Sequence, residues 1–338
     1  MFVVRPIVAE DIEAIHHFAI AASLGIANLP AHMPRLKKMI DDGVNSFNKK
    51  ITVPGSEIYP FILENTETGE KVGTCSLLAS AGERTPFCTF YLENIPEGEL
   101  EPLEGCNHTL LYPKHYSKGA SELIALYLAP AFRKGGLGKL LSFSRFFFIA
   151  ANRERFNDSL FADMRGYSTA DNQCPFWDAI GGKIWKWSYK EVLKKLDEEE
   201  VNVCNLVTRY PIHWCLLTPE AQRCAGKIHP NTQAAYYMLN HQGLCFQREV
   251  SILDGGPIIM SQMDAIKCIT HSKIATVSKI LGTLETHSEV LLCNENPFRV
   301  CHTTIQIEDS GNGDLIHVDA PTAKALKLDV GTQVRYYI

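Results

Sequence analysis

Hydrophobic and polar positions along the chain follow two periods, one typical of helices and the other typical of strands. A short apolar run over residues 2–5 predicts a strand. Apolar positions spaced three and four apart predict one helix after Asp11, which can cap it, and another over 33–47. Two further strands, over 59–64 and 71–80, are separated by a turn that contains glycine. This mixture predicts an α+β fold with helices on a mixed sheet.

The most informative segment places a strand, a glycine loop and a helix in direct succession. Residues Ser121–Leu128 are almost continuously apolar, as in a strand buried on both faces. Arg133-x-x-Gly136-x-Gly138 follows, ahead of a helix predicted over 138–155. Glycines at this position allow a phosphate to approach the amides at the positive end of the helix dipole. The loop lacks the P-loop and dinucleotide-binding patterns, so the residues alone favour an anion site and an ordinary turn equally.

The remaining patterns suggest how the rest of the chain is organised. A strand is predicted over 159–164. Two later segments, 174–185 and 231–253, share a short helix, a glycine stop and a strand with aromatic residues, which hints at an internal duplication. Residues 82–118 are rich in proline, glycine and glutamate, and predict a partly irregular insertion. From about residue 275 the pattern predicts a small β-rich module.

Composition and charge narrow the class of protein. The 338 residues carry a net charge of −5, without the basic footprint of a nucleic-acid binder. The longest apolar stretches fall short of the ~18–20 residues that span a bilayer. Of the eleven cysteines no two lie three apart, so no metal site is predicted. Their odd number, and an N-terminal sequence without a signal-peptide pattern, predict mostly buried thiols in a reducing cytoplasm.

Motifs spread over the whole chain resemble those of one family. In chain order they include Ser121-Glu122-Leu123, Arg133-Lys134, Met164-Arg165-Gly166, Pro175-Phe176-Trp177, His229-Pro230, Asp254-Gly255-Gly256-Pro257 and Val330-Gly331. The resemblance is to the arginine N-succinyltransferase family, within the acyl-CoA-dependent GNAT superfamily. It implies a GNAT-like mixed sheet flanked by helices and duplicated as two acyltransferase-like halves. The implied parts are a CoA-binding half over 1–198, a second half over 199–274 and a β-rich C-terminal module over 275–338.

The resemblance also implies a reaction. Members of the family transfer succinyl from succinyl-CoA to the α-amino group of L-arginine, the first step of arginine degradation to glutamate and succinate. The sequence has no nucleophile elbow or catalytic triad signature, which favours direct attack in a ternary complex. Succinyl-CoA is then a co-substrate, and no bound cofactor, nucleic acid or membrane partner is expected. A cytoplasmic homo-oligomer, a dimer or larger, is expected. An ornithine or broader amino-acid succinyltransferase, and a non-catalytic subunit that binds acyl-CoA or arginine, are the alternatives.

Several residue roles follow from the matched motifs. His229 matches the active-site proton donor, a role that suits imidazole because it titrates near neutrality, although a helix cap is the ordinary alternative. Leu126 matches a succinyl-CoA contact, in which its backbone N–H would face the thioester carbonyl. The loop residues expected to hold the CoA pyrophosphate are Arg133, Lys134, Gly136, Gly138 and Lys139.

Three further charged residues are candidates with ordinary alternatives. Glu122 lies four residues before Leu126 and, at period two, on the same face of the strand. It is a candidate base for the amine proton, or a surface residue at a strand start. Arg165 and Arg145 are candidates to bind the succinyl carboxylate. Either could equally form a structural ion pair, and for Arg145 we favour the structural role.

Overall fold

The computed structural model describes residues 1–22, 28–83, 86–94, 109–116, 119–169, 171, 173–285, 288–309 and 313–338. These residues form fifteen strands and ten α-helices, joined by short 3₁₀ turns. All fifteen strands belong to one continuous sheet, so the chain has the α+β mixture that the sequence predicts. No helix in the described ranges combines the length and the apolar character that crossing a membrane requires.

The first part of the chain builds a sheet between two layers of helices. Its elements are β1 (Phe2–Pro6), α1 (Ile12–Ala21), α2 (Met33–Asn48), β2 (Ile58–Asn65), β3 (Lys71–Leu78), β4 (Phe87–Asn94), β5 (Thr109–Tyr116), β6 (Ser121–Leu128), α3 (Leu137–Ala151) and β7 (Ser159–Asp163). Strands β1, β2, β3, β6 and β7 are successive neighbours in the sheet. Helix α3 packs on one face, and α1 and α2 pack on the other. The helices and strands predicted for these segments are confirmed.

Asp11 begins α1 without capping it. Its carboxylate accepts a 2.9 Å hydrogen bond from the amide of Val8 and forms a 2.8 Å ion pair with Arg5. The carboxylate therefore fastens the chain that enters α1 to strand β1, and the predicted cap is wrong because the neighbouring cation competes for the same oxygen atoms.

The segment 82–118 contains a regular hairpin. Strands β4 and β5 pair antiparallel over eight residues each, and β4 also pairs with a later strand, β9 (Cys245–Ser251). The expected irregular insertion is therefore wrong for the described part, while residues 95–108 lie outside the described residues. Phe90 and Leu111 explain the difference, because both are buried in an apolar cluster that outweighs the turn-forming composition.

The middle of the chain is mostly helical. Its elements are α4 (Pro175–Ala179), α5 (Gly181–Trp185), α6 (Tyr189–Asp197), β8 (Ile212–His213), α7 (Pro219–Cys224), α8 (Gln233–His241), β9 (Cys245–Ser251), β10 (Pro257–Gln262) and α9 (Lys267–His271). The helix and strand predicted within 231–253 are confirmed. The strand predicted at the end of 174–185 is wrong: α5 occupies it, Lys186 takes a left-handed φ of 60°, and Trp185 and Trp187 stack at 5.7 Å. The two segments that resembled each other in sequence therefore differ in structure.

The last part of the chain packs around an apolar cluster that also includes Val3 of β1. Its elements are β11 (Lys273–Leu281), β12 (Ser288–Glu295), β13 (Phe298–Asp309), β14 (Asp314–Asp319), α10 (Ala320–Leu326) and β15 (Gln333–Tyr337). Helix α10 was not predicted, although Asp319 caps it by accepting a 2.7 Å hydrogen bond from the amide of Thr322. Strand β1 lies between β2 and β13 and so joins this part to the first.

Two of the cysteines depart from the sequence prediction. Cys88 and Cys204 form a disulfide across 116 residues of chain, with their Cα atoms 5.6 Å apart. Most of the other described cysteines are buried free thiols, as predicted, and Cys215 and Cys245 are exposed free thiols. Spacing along the sequence cannot reveal this pair, because β4 and the turn that carries Cys204 meet only in the folded chain.

Candidate active site

Strands β6 and β7 form a fork. They run parallel but pair only through Ser121 with Leu160 and Glu122 with Phe161. Beyond Glu122, the edge of β6 that faces β7 has no strand partner among the described residues. The fork therefore leaves backbone groups of β6 available to a bound molecule.

A bulge in β6 reverses the direction of its side chains. Ala125 and Leu126 both lie opposite the single residue Cys75 of β3, and Ala125 has a left-handed φ of 53°. An extra residue shifts the alternation of side chains by one position. Leu126 consequently packs with the cluster under α3, whereas Glu122 faces a cavity on the opposite side. The expectation that Glu122 and Leu126 share a face is wrong, since period-two counting does not include a bulge.

The cavity beside Glu122 has a volume of about 530 Å³ and an acidic lining. Its walls come from α2, from the end of β7, from the residues after α6 and from residues 251–253. The charged residues that line it are the carboxylates Glu122, Asp163, Glu199 and Glu200 and the cations Arg35 and Lys38. None of its described lining residues belongs to the glycine loop, and neither Arg165 nor His229 is among them. The excess of carboxylates suits a cationic ligand.

Glu122 is buried without a charged partner. Its side chain is 5 % exposed, and in the described part of the chain no cation lies within ion-pair distance of it. Burial away from water disfavours the ionised carboxylate and raises the pKa of Glu122 to about 8. A carboxyl group that titrates close to neutral pH is suited to accept and release protons.

Asp163, at the end of β7, is a second carboxyl group on the same cavity. Part of its surface is open to the cavity, but protein atoms surround it closely. This burial, followed by repulsion from Asp254 and Glu122, raises the pKa of Asp163 well above its ordinary value. Sequence reasoning missed Asp163, although its place directly before Met164-Arg165-Gly166, at the carboxyl end of a buried strand, was a signal.

Asp254 holds the segment after β7 in position. Its carboxylate accepts hydrogen bonds from the amides of Gly166 at 2.8 Å and Gly256 at 2.9 Å. A Cβ atom on Gly166 would lie 2.3 Å from the carbonyl oxygen of Asp254, so only glycine fits there. The Met164-Arg165-Gly166 and Asp254-Gly255-Gly256-Pro257 motifs are therefore two halves of one packed contact.

The structure brings the candidates Arg165 and His229 together. Gly166 and Ile228 form an isolated antiparallel bridge. The amide of His229 donates a 2.9 Å hydrogen bond to the carbonyl oxygen of Arg165. Residues more than sixty positions apart in sequence are thus held side by side by backbone bonds.

The guanidinium of Arg165 has unused hydrogen-bonding capacity. It donates a 3.2 Å hydrogen bond to the hydroxyl of Ser168, while its Nε is buried with no partner. No carboxylate in the described ranges lies within ion-pair distance of it. A half-buried cation with an orphaned donor is a suitable site for an anionic ligand group.

The ring of His229 has one nitrogen engaged. Its Nδ1 accepts a 3.1 Å hydrogen bond from the amide of Asn231 and caps the turn Pro230–Thr232, so the helix-cap alternative is realised. The neutral ring therefore carries its proton on Nε2. Partial burial, and then the charge of Arg165, lower the pKa of His229. The imidazole is a neutral N–H donor at pH 7.

The glycine loop is open to solvent. Gly135 and Gly136 have φ values of 63° and 77°, and a Cβ added to either would have no atom within 4 Å. The Nε of Arg133 donates a 2.9 Å hydrogen bond to the carbonyl of Leu128, which fastens the loop to the end of β6. The exposed positions of the loop include Arg133, Lys134 and Lys139, and Gly138 lies in the first turn of α3. Amides of the first helical turn and three cations therefore surround open space, as at an anion site.

Arg145 does not belong to this site. It is 1 % exposed on α3, where it donates hydrogen bonds to the carbonyl and hydroxyl oxygens of Ser142 at 3.1 and 2.9 Å. Burial lowers the pKa of Arg145. Its role is structural, as favoured, but through hydrogen bonds to Ser142, with no ion pair to a described carboxylate.

Comparisons with known proteins agree on one family. Residues 2–268 match the family model for the arginine N-succinyltransferase beta subunit. A Pseudomonas aeruginosa protein, arginine N-succinyltransferase subunit beta, is 31% identical over 335 residues, which is 98% of this chain and 97% of the relative. An arginine N-succinyltransferase of Shigella sonnei is 30% identical over 339 residues, with 99% and 97% coverage. The solved arginine/ornithine succinyltransferase subunit AI from Pseudomonas aeruginosa has a TM-score of 0.87 at 27% identity, covering 100% of this chain and 98% of its own.

Proposed function

The chain belongs to the arginine N-succinyltransferase family and is an acyltransferase, and we propose that it transfers succinyl from succinyl-CoA to the α-amino nitrogen of L-arginine. The transfer is a direct attack in a ternary complex, without an acyl-enzyme. The observation that carries this proposal is the buried Glu122 at the fork of β6 and β7, on an acidic cavity and on the same strand that leads to the glycine loop.

The glycine loop is the proposed contact for CoA. The amides of Gly136, Gly138 and Lys139 would meet the pyrophosphate, and the cations of Arg133, Lys134 and Lys139 would balance its charge. The backbone N–H of Leu126, beside the bulge in β6, would donate to the thioester oxygen as charge develops on it. Each of these roles rests on the open fork and the open loop described above.

Glu122 is the proposed base. The α-amino group must lose a proton when it attacks the thioester carbonyl, and a carboxylate with a pKa of about 8 can accept that proton. Asp163 shares the cavity and holds a proton more tightly than an ordinary aspartate. The proposed partners of the guanidinium are instead Glu199 and Glu200, the exposed carboxylates of the lining. In the structure these two carboxylates pair with Arg35 and Lys195.

His229 is the proposed donor to the departing CoA sulfur. Because its Nδ1 is engaged by the amide of Asn231, the ring presents Nε2–H. A hydrogen bond from this N–H stabilises the thiolate as the C–S bond breaks. The proton that completes CoA–SH then comes from Glu122, which received it from the amine, or from water. Arg165, beside His229, is the proposed partner of the succinyl carboxylate, because its buried Nε has no other partner.

Ornithine is a second candidate substrate. The solved relative is described as an arginine/ornithine succinyltransferase, and a cavity lined by carboxylates accommodates either cation. A third possibility, a non-catalytic subunit that binds acyl-CoA or arginine, is opposed by the buried carboxyl group at the fork.

The finer organisation is also proposed. We retain a GNAT-like arrangement with duplicated halves over 1–198 and 199–274 and a C-terminal module over 275–338. The duplication rests on the sequence alone, because the segments 174–185 and 231–253 differ in structure. The apolar cluster around β11 to β15 supports the last division, although Leu291 and Val300 of this part belong to the main core. A cytoplasmic homo-oligomer, a dimer or larger, that works with succinyl-CoA and L-arginine and without nucleic acid or membrane contacts completes the proposal.

A thiol-release assay tests the activity. Purified protein is mixed with succinyl-CoA and either L-arginine, L-ornithine or L-lysine, and free CoA is followed with time. Release with arginine well above the other two supports the proposal, and equal release with ornithine supports the broader enzyme. Tight succinyl-CoA binding without release in any mixture would refute catalysis and favour the binding subunit.

A further inference from the structure

A cysteine pair and a histidine meet outside the residues assigned to the reaction. Cys88 lies on β4, His115 on β5, and Cys204 in the turn Val203–Asn205. Cys88 and Cys204 are joined as a disulfide, and Nδ1 of His115 is 3.1 Å from the sulfur of Cys88. Cys88 is buried, Cys204 is half-buried and His115 is exposed, so reagents in solution can reach the group from one side.

This group lies on the wall of the acidic cavity. Cys88 lines the cavity, and so do residues on both sides of Cys204, including Val203 and Asn205. The disulfide therefore connects the wall segment 198–205 to the hairpin of β4 and β5. The same segment also contains Glu200, which lines the cavity.

The other end of the wall segment is held by polar bonds. The carboxylate of Asp197 accepts hydrogen bonds from the amides of Ala31 at 3.1 Å and His32 at 3.0 Å. Arg35 donates a 3.1 Å hydrogen bond to the carbonyl of Leu196. The wall segment is thus attached near Asp197 and at Cys204. Within the described chain, the disulfide at Cys204 is its only covalent link to the hairpin of β4 and β5. Val201 and Val203 also pack against the apolar cluster around Phe90, so opening the disulfide would loosen the Cys204 end and leave the Asp197 end in position.

We propose that Cys88 and Cys204 form a reversible disulfide switch on the acidic cavity, with His115 as the group that activates Cys88. Disulfides in reducing compartments are commonly transient and redox-sensing rather than structural. A neighbouring imidazole promotes the thiolate, which is the reactive form of cysteine. The bond itself stands independently of the proposed function, whereas its effect on succinyl transfer rests on that function.

The oxidant we name is a small-molecule disulfide such as oxidised glutathione. His115 takes the proton of the Cys88 thiol, and the thiolate attacks one sulfur of the oxidant, which breaks the oxidant's S–S bond and releases one glutathione thiolate. The thiolate of Cys204 then attacks Cys88 in the mixed disulfide and releases the second glutathione. The chain loses two protons, one from each thiol, and two electrons, and the oxidant gains them to become two glutathione thiols. Reduced glutathione reverses both steps.

Zinc binding is the competing use of the same side chains. The three ligand atoms of Cys88, His115 and Cys204 lie within 4.8 Å of one another, and two thiolates with one imidazole are a zinc-like set. A disulfide sulfur is not a thiolate, so the two uses exclude each other. The experiment must therefore measure metal content as well as oxidation.

The first test measures whether the disulfide between Cys88 and Cys204 forms reversibly. The full chain is equilibrated in buffers that range from reduced to oxidised glutathione, trapped with a maleimide and weighed as intact protein. We expect a form that lacks two maleimide adducts and two hydrogens relative to the trapped dithiol form, with Cys88 and Cys204 unlabelled, and that returns to the dithiol form in reduced glutathione. Cys88→Ser and Cys204→Ser should each abolish this form, and Cys215→Ser, an exposed free cysteine, should retain it. Both thiols remaining free at every ratio, or one tightly held zinc per chain, would overturn the proposal.

The second test measures how the disulfide changes KM for the amino acid. We expect KM for the amino acid to differ about fivefold or more between the oxidised and reduced forms, with KM for succinyl-CoA unchanged. The difference should vanish in Cys88→Ser. Identical KM values in both forms would refute the switch even if the bond forms. If no amine supports transfer, the proposed function fails, and equilibrium binding of arginine to the two forms then decides the switch in the same way.

The third test addresses His115. His115→Asn removes the ring nitrogen 3.1 Å from the sulfur of Cys88 and should slow oxidation by glutathione at pH 7. An unchanged rate would overturn the activating role of His115.

Discussion

The amide of His229 donates a 2.9 Å hydrogen bond to the carbonyl oxygen of Arg165, so one backbone contact fixes the separation of an imidazole and a guanidinium. The proximity has an electrostatic consequence, since the charge of Arg165 adds to burial in lowering the pKa of His229. The histidine is therefore kept neutral in a site that receives anionic groups.

Two substitutions of His229 distinguish a role in catalysis from a role in capping the turn Pro230–Thr232. His229→Ala should lower kcat by about 10²–10⁴ if the ring acts on the reacting atoms. His229→Asn is the matched control, because asparagine is a good capping residue and can still accept the hydrogen bond from Asn231. We expect both variants to be impaired equally and to keep the same fold by circular dichroism. Near-normal turnover in the asparagine variant would reduce His229 to a cap.

Arg165 should determine preference for the acyl group. Arg165→Met removes the cation and retains an apolar stem, so the preference for succinyl-CoA over acetyl-CoA should fall roughly 10- to 100-fold, the value of a hydrogen-bonded charge pair. Steady-state kinetics with both thioesters measure this ratio. A ratio that stays the same in Arg165→Met excludes Arg165 from carboxylate recognition.

Arg165→Met should also change how kcat/KM depends on pH. The pKa of His229 lies below its ordinary value of 6.5, partly because of Arg165. Catalysis that requires neutral His229 should fall as the pH drops through this lowered pKa, and loss of the neighbouring charge should raise that pKa. The acid limb of kcat/KM should therefore move to higher pH in Arg165→Met. An acid limb that does not move would show that His229 is not the group whose titration produces it.

Glu122 should control the rise of kcat near pH 8, which lies above the limb assigned to His229. As a base it must be ionised, so activity should rise through about pH 8 and Glu122→Gln should lose both the rise and most of the turnover. A pH–rate profile of kcat measures both effects. Asp264→Asn, at an exposed position, is the control for a general change of charge. A rise that persists in the glutamine variant would identify another group as the base.

Glu122 also predicts a change in stability with pH. Its pKa rises from 4.5 to about 8 on folding, so its favourable contribution is present below pH 4.5 and is lost as the pH rises toward 8. Glu122→Gln lacks this loss because the amide stays neutral. The Tm of the variant should therefore exceed that of the unmodified chain by a margin that grows between pH 5 and 8. A margin independent of pH would contradict the raised pKa.

The glycine loop offers a matched pair of substitutions. Gly136→Ala and Gly69→Ala each add a Cβ at a positive φ, 77° and 73°, with no atom within 4 Å. Both should lower the free energy of unfolding by about 1–2 kcal/mol, the cost of a left-handed alanine. Only Gly136→Ala should also raise KM for succinyl-CoA, by tenfold or more, since Gly69 lies in the turn between β2 and β3. Equal KM values for succinyl-CoA in the two variants would show that Gly136 does not contact CoA.

The sequence was sufficient for elements whose pattern is local. Ser121–Leu128 and the loop with Gly136 were located from residue type and spacing, and the family resemblance that included them is confirmed. The roles of His229, Glu122 and Arg165 stay predictions, but the structure adds the contacts that make them testable.

What the sequence missed depends on contacts between distant segments. The bulge at Ala125 arises from the register of β6 against β3, and it separates Glu122 from Leu126. The pairing of Cys88 with Cys204 and the raised pKa of Asp163 likewise arise from burial and neighbours that no single segment contains. Local periodicity carries no information about any of them.

The position of β1 determines when the sheet can be completed during synthesis. Val3 and Val4 pair with Cys301 and Val300 on one side, and with β2 on the other. Strand β1 therefore leaves the ribosome long before β13, the strand that covers its second edge. Until β13 emerges, the nascent protein presents an open strand edge, which is the geometry that invites association with other chains. Translation pauses and chaperone contact before residue 298 should therefore matter more for this protein than its compact end state would suggest.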